Sequence, residues 1–301
     1  MKLVCPNCKK EYEVDERRIP PTAKVARCKF CDHRFPLPQS RETPPPEPTG
    51  PRRIGVMLSK GGVGKTTTSV NLAAGLACGG YRVLLVDTDT QGQDSFMLGV
   101  KPQAGLTEMV MGELRPEEAM TQARERLWLL AGGKALAGLK RLIDRKDFGG
   151  ELTLAETLRQ VDHQFDFVIV DTSPGWDPIT VNVLFYVSEI LTPVSLEVMS
   201  LQGLVEFLKN LAAIQRYRKD IRLRYILPTF LDRRVARSTE VFTKLKKLYG
   251  DKVCTPIRYN VRLSESPALG QTIYEYAPGS NGAHDYRELV RKISGNDKLF
   301  R

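Results

Sequence analysis

No stretch of this 301-residue chain approaches the roughly 18 consecutive apolar residues that a membrane-crossing helix needs. The N-terminus lacks the order of charged, apolar and small residues that marks a secretory leader. Cysteine is sparse: there are six, and four of them stand as two Cys-x-x-Cys pairs. Such usage suits metal binding in a reducing compartment better than a disulfide framework. With neither a span nor a leader read from the sequence, the expected location is the cytoplasm. What is present is ample. Apolar residues make up 42% of the chain, enough for a substantial core, and the length allows one large domain or two smaller ones.

The chain is organised around Ser59-Lys60-Gly61-Gly62-Val63-Gly64-Lys65-Thr66-Thr67. Ile54-Gly-Val-Met-Leu-Ser59 leads into it as a buried parallel strand, and Ser69 to Ala77 leave it with helical spacing. A strand, a glycine-rich turn and a helix start form a phosphate cradle, because backbone N–H groups and the helix dipole converge on the anion. Lys65 then reaches the β- and γ-phosphates, and the Thr66 hydroxyl is placed to ligate Mg²⁺. A dinucleotide-binding turn would need no Lys-Thr pair, and its third glycine would fall at Thr67. The strict P-loop has glycine where this chain has Ser59, and it does not call for Lys60. This departure resembles the deviant Walker A loop of the ParA/MinD ATPases.

The first 38 residues hold Cys5-Pro-Asn-Cys8 and, after 19 intervening residues, Cys28-Lys-Phe-Cys31. Cys5, Cys8, Cys28 and Cys31 fit a closed, structural four-thiolate Zn²⁺ site. So short a segment buries too little apolar surface to fold unaided, so the metal would supply the missing stability. A redox dithiol is the rival reading, but it needs one such pair rather than two. His33 reads as a surface residue. With Tyr12-Glu-Val14 and Ile19-Pro-Pro21, the segment resembles the small zinc ribbons at the N-termini of many bacterial proteins. Seven prolines between Pro36 and Pro51 follow, which reads as a semi-extended linker. The expected division is a ribbon over 1–38, a proline-rich linker over 39–53 and an ATPase over 54–301.

Arg82 to Asp87 and Phe165 to Asp171 read as two further buried strands ending in aspartate, where ligands bind in open parallel sheets. Strands are also expected at Leu127 to Leu130, Glu189 to Val194, Arg222 to Leu227 and Lys252 to Pro256, with helices between. The fold class is therefore α/β, a P-loop NTPase with a mostly parallel sheet covered by helices on both faces. Cys78 and Cys254 read as packing residues.

Asp87-Thr-Asp89-Thr-Gln91-Gly resembles the switch motif of the ParA family, with Thr90 in place of the usual proline. Asp171-Thr-Ser-Pro-Gly175 looks like its Walker B strand end, and Asn260-Val-Arg-Leu-Ser-Glu-Ser-Pro267 is close to a late family motif. The resemblance runs over about 250 residues. It implies ATP and Mg²⁺ as ligands, with Gly61, Gly62, Val63, Gly64, Lys65, Thr66 and Thr67 holding the nucleotide. It also implies that Asp87 holds Mg²⁺ through water, that Asp171 lies near it, and that Asp89 orients or deprotonates the attacking water. Lys60 would reach a partner's phosphates across an ATP-dependent homodimer, making Lys60, Lys65 and Asp89 the catalytic set.

The net charge of +10 is not evenly spread: residues 215–262 hold fourteen Lys or Arg against four Asp or Glu. Such a run is often a solvated helix face. Leu231-Asp-Arg-Arg234 and Asn260-Val-Arg262, however, resemble segments whose arginines contact DNA in ParA relatives. Arg234 and Arg262 are thus candidates for non-specific DNA binding, which would make the protein nucleoid-associated. The resemblance implies partition of a chromosome or plasmid with a ParB-like or other ATPase-stimulating partner; positioning of a protein cargo or of the division machinery is the alternative. A membrane-bound MinD-like version would need an amphipathic C-terminal helix, and Glu288 to Arg301 offers few large apolar residues. An iron–sulfur reductase would need cluster cysteines, and none occurs between Gly92 and Gly175. In a plain DNA-binding regulator the nucleotide would be only structural.

Overall fold

The computed structural model describes residues 2–14, 25–36, 50–232 and 234–300. Ile19 to Pro21 and residues 37–49, most of the expected linker, lie outside them. The chain divides into two compact units, Met1–Thr49 and Gly50–Arg301.

The first unit holds two antiparallel pairs: β1 (Lys2–Val4) with β2 (Glu11–Glu13), and β3 (Val25–Arg27) with β4 (Arg34–Pro36). A Cys-x-x-Cys turn joins each pair. Its core consists of buried Cys5, Cys28 and Phe35, with partly buried residues such as Tyr12 and Ala26 packed against them. That is too little apolar surface to hold a fold by itself.

The second unit is built on seven strands: β5 (Arg52–Val56), β6 (Val83–Asp87), β7 (Thr121–Arg124), β8 (Leu127–Leu130), β9 (Phe167–Asp171), β10 (Glu189–Ser195) and β11 (Arg222–Thr229). Their order is β11-β10-β5-β9-β6-β8-β7. All neighbours are parallel except β7 with β8. Every residue of β6 and β9 is buried, as befits central strands covered on both faces. Alternate side chains enter opposite cores. Leu84 and Val86 join one cluster, and Val83 and Leu85 the other.

The principal helices are α1 (Lys65–Cys78), α2 (Gln93–Leu98), α3 (Leu136–Asp144), α4 (Pro178–Tyr186), α5 (Val198–Ile214), α6 (Ala236–Tyr249) and α7 (Asn281–Ser294). Among the described residues no helix is long and apolar enough to cross a membrane. The apolar face of α7, with Leu289, Val290 and Ile293, is buried in the same core as α1.

Three expectations change. Lys252 to Pro256 form no strand: Val253 makes one isolated bridge to Ile226, and Pro256 has no N–H with which to extend a ladder. The edge strand β7 was not expected, because Thr-Gln-Ala-Arg carries no apolar run. Cys78 is exposed at the end of α1, so it is not a packing residue, whereas Cys254 is buried.

A phosphate cradle over three buried carboxylates

The turn after β5 crosses to α1 through Gly62 (φ 71°) and Gly64 (φ 86°), left-handed conformations in which a side chain would be strained. Val63 is buried, and its carbonyl accepts a hydrogen bond from the Thr229 hydroxyl at 3.0 Å. The loop is thereby anchored to the end of β11. Lys65 is 6% exposed and donates to the Lys60 carbonyl at 2.9 Å. Burial lowers its ammonium pKa, while the charges of Asp171 and Asp89 oppose that shift.

Register brings the aspartates together. Asp87 and Asp171 are paired residues at the C-terminal ends of β6 and β9. Asp171 accepts hydrogen bonds from Thr66 Oγ1 at 2.8 Å and Ser69 Oγ at 2.7 Å, both on α1. Burial still pushes its pKa up to about 6, against those two bonds. Asp87 accepts from the Asp89 amide at 2.8 Å; burial and then the Asp171 charge push its carboxyl up to about 8. Gly132 presses against it, and a Cβ there would lie 2.8 Å from Asp87 Oδ1. Asp89 is half-buried and accepts from the Gln91 amide at 2.9 Å through Oδ1.

A third buried aspartate was missed by sequence reasoning. Asp94, in the first turn of α2, brings a carboxylate oxygen to within 4.8 Å of oxygens of Asp87 and Asp171. Burial and the neighbouring charges push its carboxyl well above the usual range. No spacing rule would have paired it with residue 171. The left-handed Gly92, which turns the chain from β6 into α2, and the β6–β9 register that sets Asp171 beside Asp87 do so together.

A cleft of about 560 Å³ opens over the loop, lined by Gly61, Lys65, Thr66, Asp89, Pro174 and Asp177 among others. A neighbouring cavity of about 280 Å³ shares Gly64, Thr66, Thr67 and Phe230 with it and adds Ile257, Tyr259 and Asn260. Together they offer a polar trough for phosphates beside a more apolar recess of a size for a nucleoside. Phe230 directly follows β11, and Ile257 and Tyr259 follow Lys252 to Pro256; sequence reasoning assigned none of these three to the site, and it read Asn260 only as part of the late motif.

Beyond β9, Trp176 donates its indole N–H to Ser59 Oγ at 3.0 Å and stacks on Phe207 of α5. Asp177 caps α4 through the Thr180 amide and meets Lys140 of α3 at 2.5 Å. Ser59, where the strict loop has glycine, thus ties the cradle to the segment after β9. Lys60 does not join Lys65: its ammonium lies 2.8 Å from Ser200 Oγ and 3.5 Å from Glu197 Oε2.

In the first unit the four cysteine sulfurs form a single cluster. Cys5 to Cys31 and Cys8 to Cys28 are each 3.6 Å, close to the roughly 3.8 Å expected between thiolates sharing a tetrahedral zinc. Both knuckles repeat one hydrogen-bond scheme: Cys5 N to Lys10 O and Lys9 N to Cys5 O, then Cys28 N to His33 O and Asp32 N to Cys28 O. The Tyr12 hydroxyl at 3.1 Å helps bring the Cys28 thiol down to about 6, favouring the thiolate a metal needs. One site from four thiols argues against two independent redox pairs. His33 is exposed.

Arg234 and Arg262 lie on neighbouring segments, joined by the bridge between Leu231 and Arg258. Each pairs with a nearby acid of its own segment, Arg234 with Asp232 and Arg262 with Glu265, and their side chains are 83% and 57% exposed. Arg237, Lys244, Lys246 and Lys247 of α6 are also exposed. Arg258, by contrast, is engaged with buried Asp285 at 2.6 Å.

Comparison with known proteins agrees with this arrangement. The AAA_31 family, an AAA domain, matches residues 51–223, and a zinc-ribbon domain family matches residues 1–36. The chromosome-partitioning ATPase Soj of Thermus thermophilus is 38% identical over 80% of this chain and 95% of its own length. The sporulation initiation inhibitor protein Soj of Bacillus subtilis is 35% identical over 81% of this chain and 98% of its own. Among solved structures, cobyrinic acid a,c-diamide synthase from Mycobacterium smegmatis, with bound ATP analogue and magnesium, superposes with a TM-score of 0.69. It is 30% identical, covering 83% of this chain and 98% of that one.

Proposed function

This chain belongs to the Soj/ParA family of P-loop ATPases and carries an N-terminal zinc ribbon, and from that premise we propose that it is an ATP-driven switch that partitions a chromosome or plasmid. The observation that carries the reading is the placement of two lysines of one loop. Lys65 lies buried in the cradle, while Lys60 stands outside it on Ser200.

In this reading Gly61 to Thr67 grip the phosphates of ATP through backbone N–H groups, and Lys65 adds positive charge at the β- and γ-phosphates. The recess by Phe230 and Ile257 takes the nucleoside. Thr66, Asp87 and Asp171 fit Mg²⁺ by donor chemistry, a hydroxyl and two buried carboxylates without a cationic partner within ion-pair distance among the described residues. Magnesium bound there would neutralise charge on the transferring phosphoryl group. Asp89 Oδ2 takes no hydrogen bond among the described residues, which leaves it free to orient or deprotonate the attacking water. Lys60 leaves Ser200 to reach the phosphates bound by a second copy, so ATP joins two chains.

The paired chains would present Arg234 and Arg262 twice, together with the exposed lysines of α6, giving sequence-independent affinity for DNA phosphates. Hydrolysis separates the chains and releases the DNA, and a ParB-like or other stimulating partner sets where this happens. Positioning of a protein cargo follows from the same chemistry with a different partner.

Phosphate release and DNA retention test the proposal. Wild-type protein should hydrolyse ATP slowly with Mg²⁺ and hold DNA only with ATP. Asp89→Ala should bind ATP, stop turnover and remain on DNA. Turnover undiminished in Asp89→Ala would remove that residue's role, and DNA retention without nucleotide would remove the switch.

A further inference from the structure

Asp94 is fully buried, and neither of its carboxylate oxygens has a hydrogen-bond partner. Its neighbours are similarly placed: Asp87 and Asp171 are each 1% exposed, and among the described residues no Lys or Arg lies within ion-pair distance of any of the three. Lys65 is committed to the Lys60 carbonyl. Asp94 is held in place, because Met97 and Leu98 of the same short helix are buried in the core. Buried carboxylates persist when they are paired, hydrogen-bonded or metal-bound. Here the bonds to Asp87 and Asp171 come from amides and hydroxyls, and Asp94 has none.

We propose that Asp87, Asp94 and Asp171 together bind a hard divalent cation, Mg²⁺ or Mn²⁺, in the absence of nucleotide, with Asp94 as a direct ligand. The donors are three carboxylate oxygens, a set that suits hard cations and offers no sulfur or nitrogen to softer metals. Three atoms all within 4.8 Å of one another leave a common point no more than about 2.8 Å from each, so small side-chain shifts reach the 2.0–2.6 Å of Mg²⁺ to Ca²⁺ coordination. The site differs from a nucleotide-bound magnesium in needing no phosphate oxygen. It does not rest on dimerisation, DNA binding or turnover.

The test uses the full chain with zinc loaded and nucleotide removed. Mn²⁺ is titrated in and the free ion read by electron paramagnetic resonance, with Mg²⁺ as competitor. One Mn²⁺ should bind per chain, and Asp94→Asn and Asp94→Ala should each weaken it at least tenfold. No binding to the wild-type chain without nucleotide, or equal affinity in folded Asp94→Asn, would overturn the site. Anomalous scattering from Mn²⁺-soaked, nucleotide-free wild-type crystals needs no variant: an ion among the three carboxylates supports the proposal, and none there refutes it. Since no ATP is present, failure here leaves the ATPase reading intact, and loss of that reading would leave this result standing.

Discussion

The Lys60 ammonium donates to Ser200 Oγ at 2.8 Å, and Ser200 is itself 2.5 Å from Ser195 Oγ at the end of β10. The loop lysine proposed to act across a dimer is thus held by its own chain, with Glu197 adding an ion pair at 3.5 Å. Dimerisation must break these contacts before Lys60 can reach a partner's phosphates.

Lys60→Ala should therefore abolish ATP-dependent dimerisation and hydrolysis while ATP binding by single chains survives. Ser200→Ala should act in the opposite direction. It removes one hydrogen bond from a partly exposed ammonium, worth about 1 kcal/mol, so the ATP concentration for half-dimerisation should fall by about fivefold. Sedimentation with a non-hydrolysable analogue reads both. Unchanged dimers in Lys60→Ala would remove the cross-chain role.

Arg234 and Arg262 pair with Asp232 and Glu265 at exposed positions, where ion pairs contribute little. Exchanging those partners for DNA phosphates costs little. Arg234→Glu with Arg262→Glu should lower ATP-dependent DNA retention more than about tenfold and flatten its dependence on salt, with turnover in the absence of DNA preserved. Retention equal to wild type would place the DNA surface elsewhere.

The ribbon's small core makes its fold depend on metal. A zinc chelator should unfold residues 1–38, seen as loss of their dispersed amide resonances. ATP hydrolysis by a 54–301 fragment should not change. A ribbon that kept its resonances after zinc removal would contradict the structural role of the metal.

Asp177 supplies a pH-dependent term. Burial raises its pKa, but the Lys140 ammonium and the Thr180 amide outweigh that and hold the carboxyl below its ordinary 3.8. A depressed folded pKa gives stability that is present above the unfolded value and lost as pH falls through the folded one. Asp177→Asn keeps a capping oxygen and loses the charge. It should cost about 1 kcal/mol in urea unfolding at pH 7, and the gap from wild type should narrow below pH 3.8. A gap that widens with acid would contradict this sign.

Much of this molecule could be read from local pattern alone. Ser59 to Thr67, the two aspartate-ending strands and the paired Cys-x-x-Cys turns each carry their chemistry within a few consecutive residues, where spacing is a direct record of geometry. Where several contacts at long range compete, the pattern was silent or misleading. Lys252 to Pro256 has strand-like composition, yet it makes only an isolated bridge to β11. Thr121 to Arg124 has none, yet it closes the sheet edge beside β8.

The same division holds at the site. The amino-acid sequence by itself determined the glycine-rich turn, the paired Cys-x-x-Cys knuckles and the presence of carboxylates at strand ends, because turn chemistry and cysteine spacing act over short stretches of chain. Tertiary structure alone decided that Asp94 joins Asp87 and Asp171, that Trp176 reaches Ser59, and that Lys60 rests on Ser200. Those partners are separated by up to 140 residues. Only the parallel register of β6 with β9, and the packing of α1, α2 and α5 over the strand ends, bring them within bonding distance.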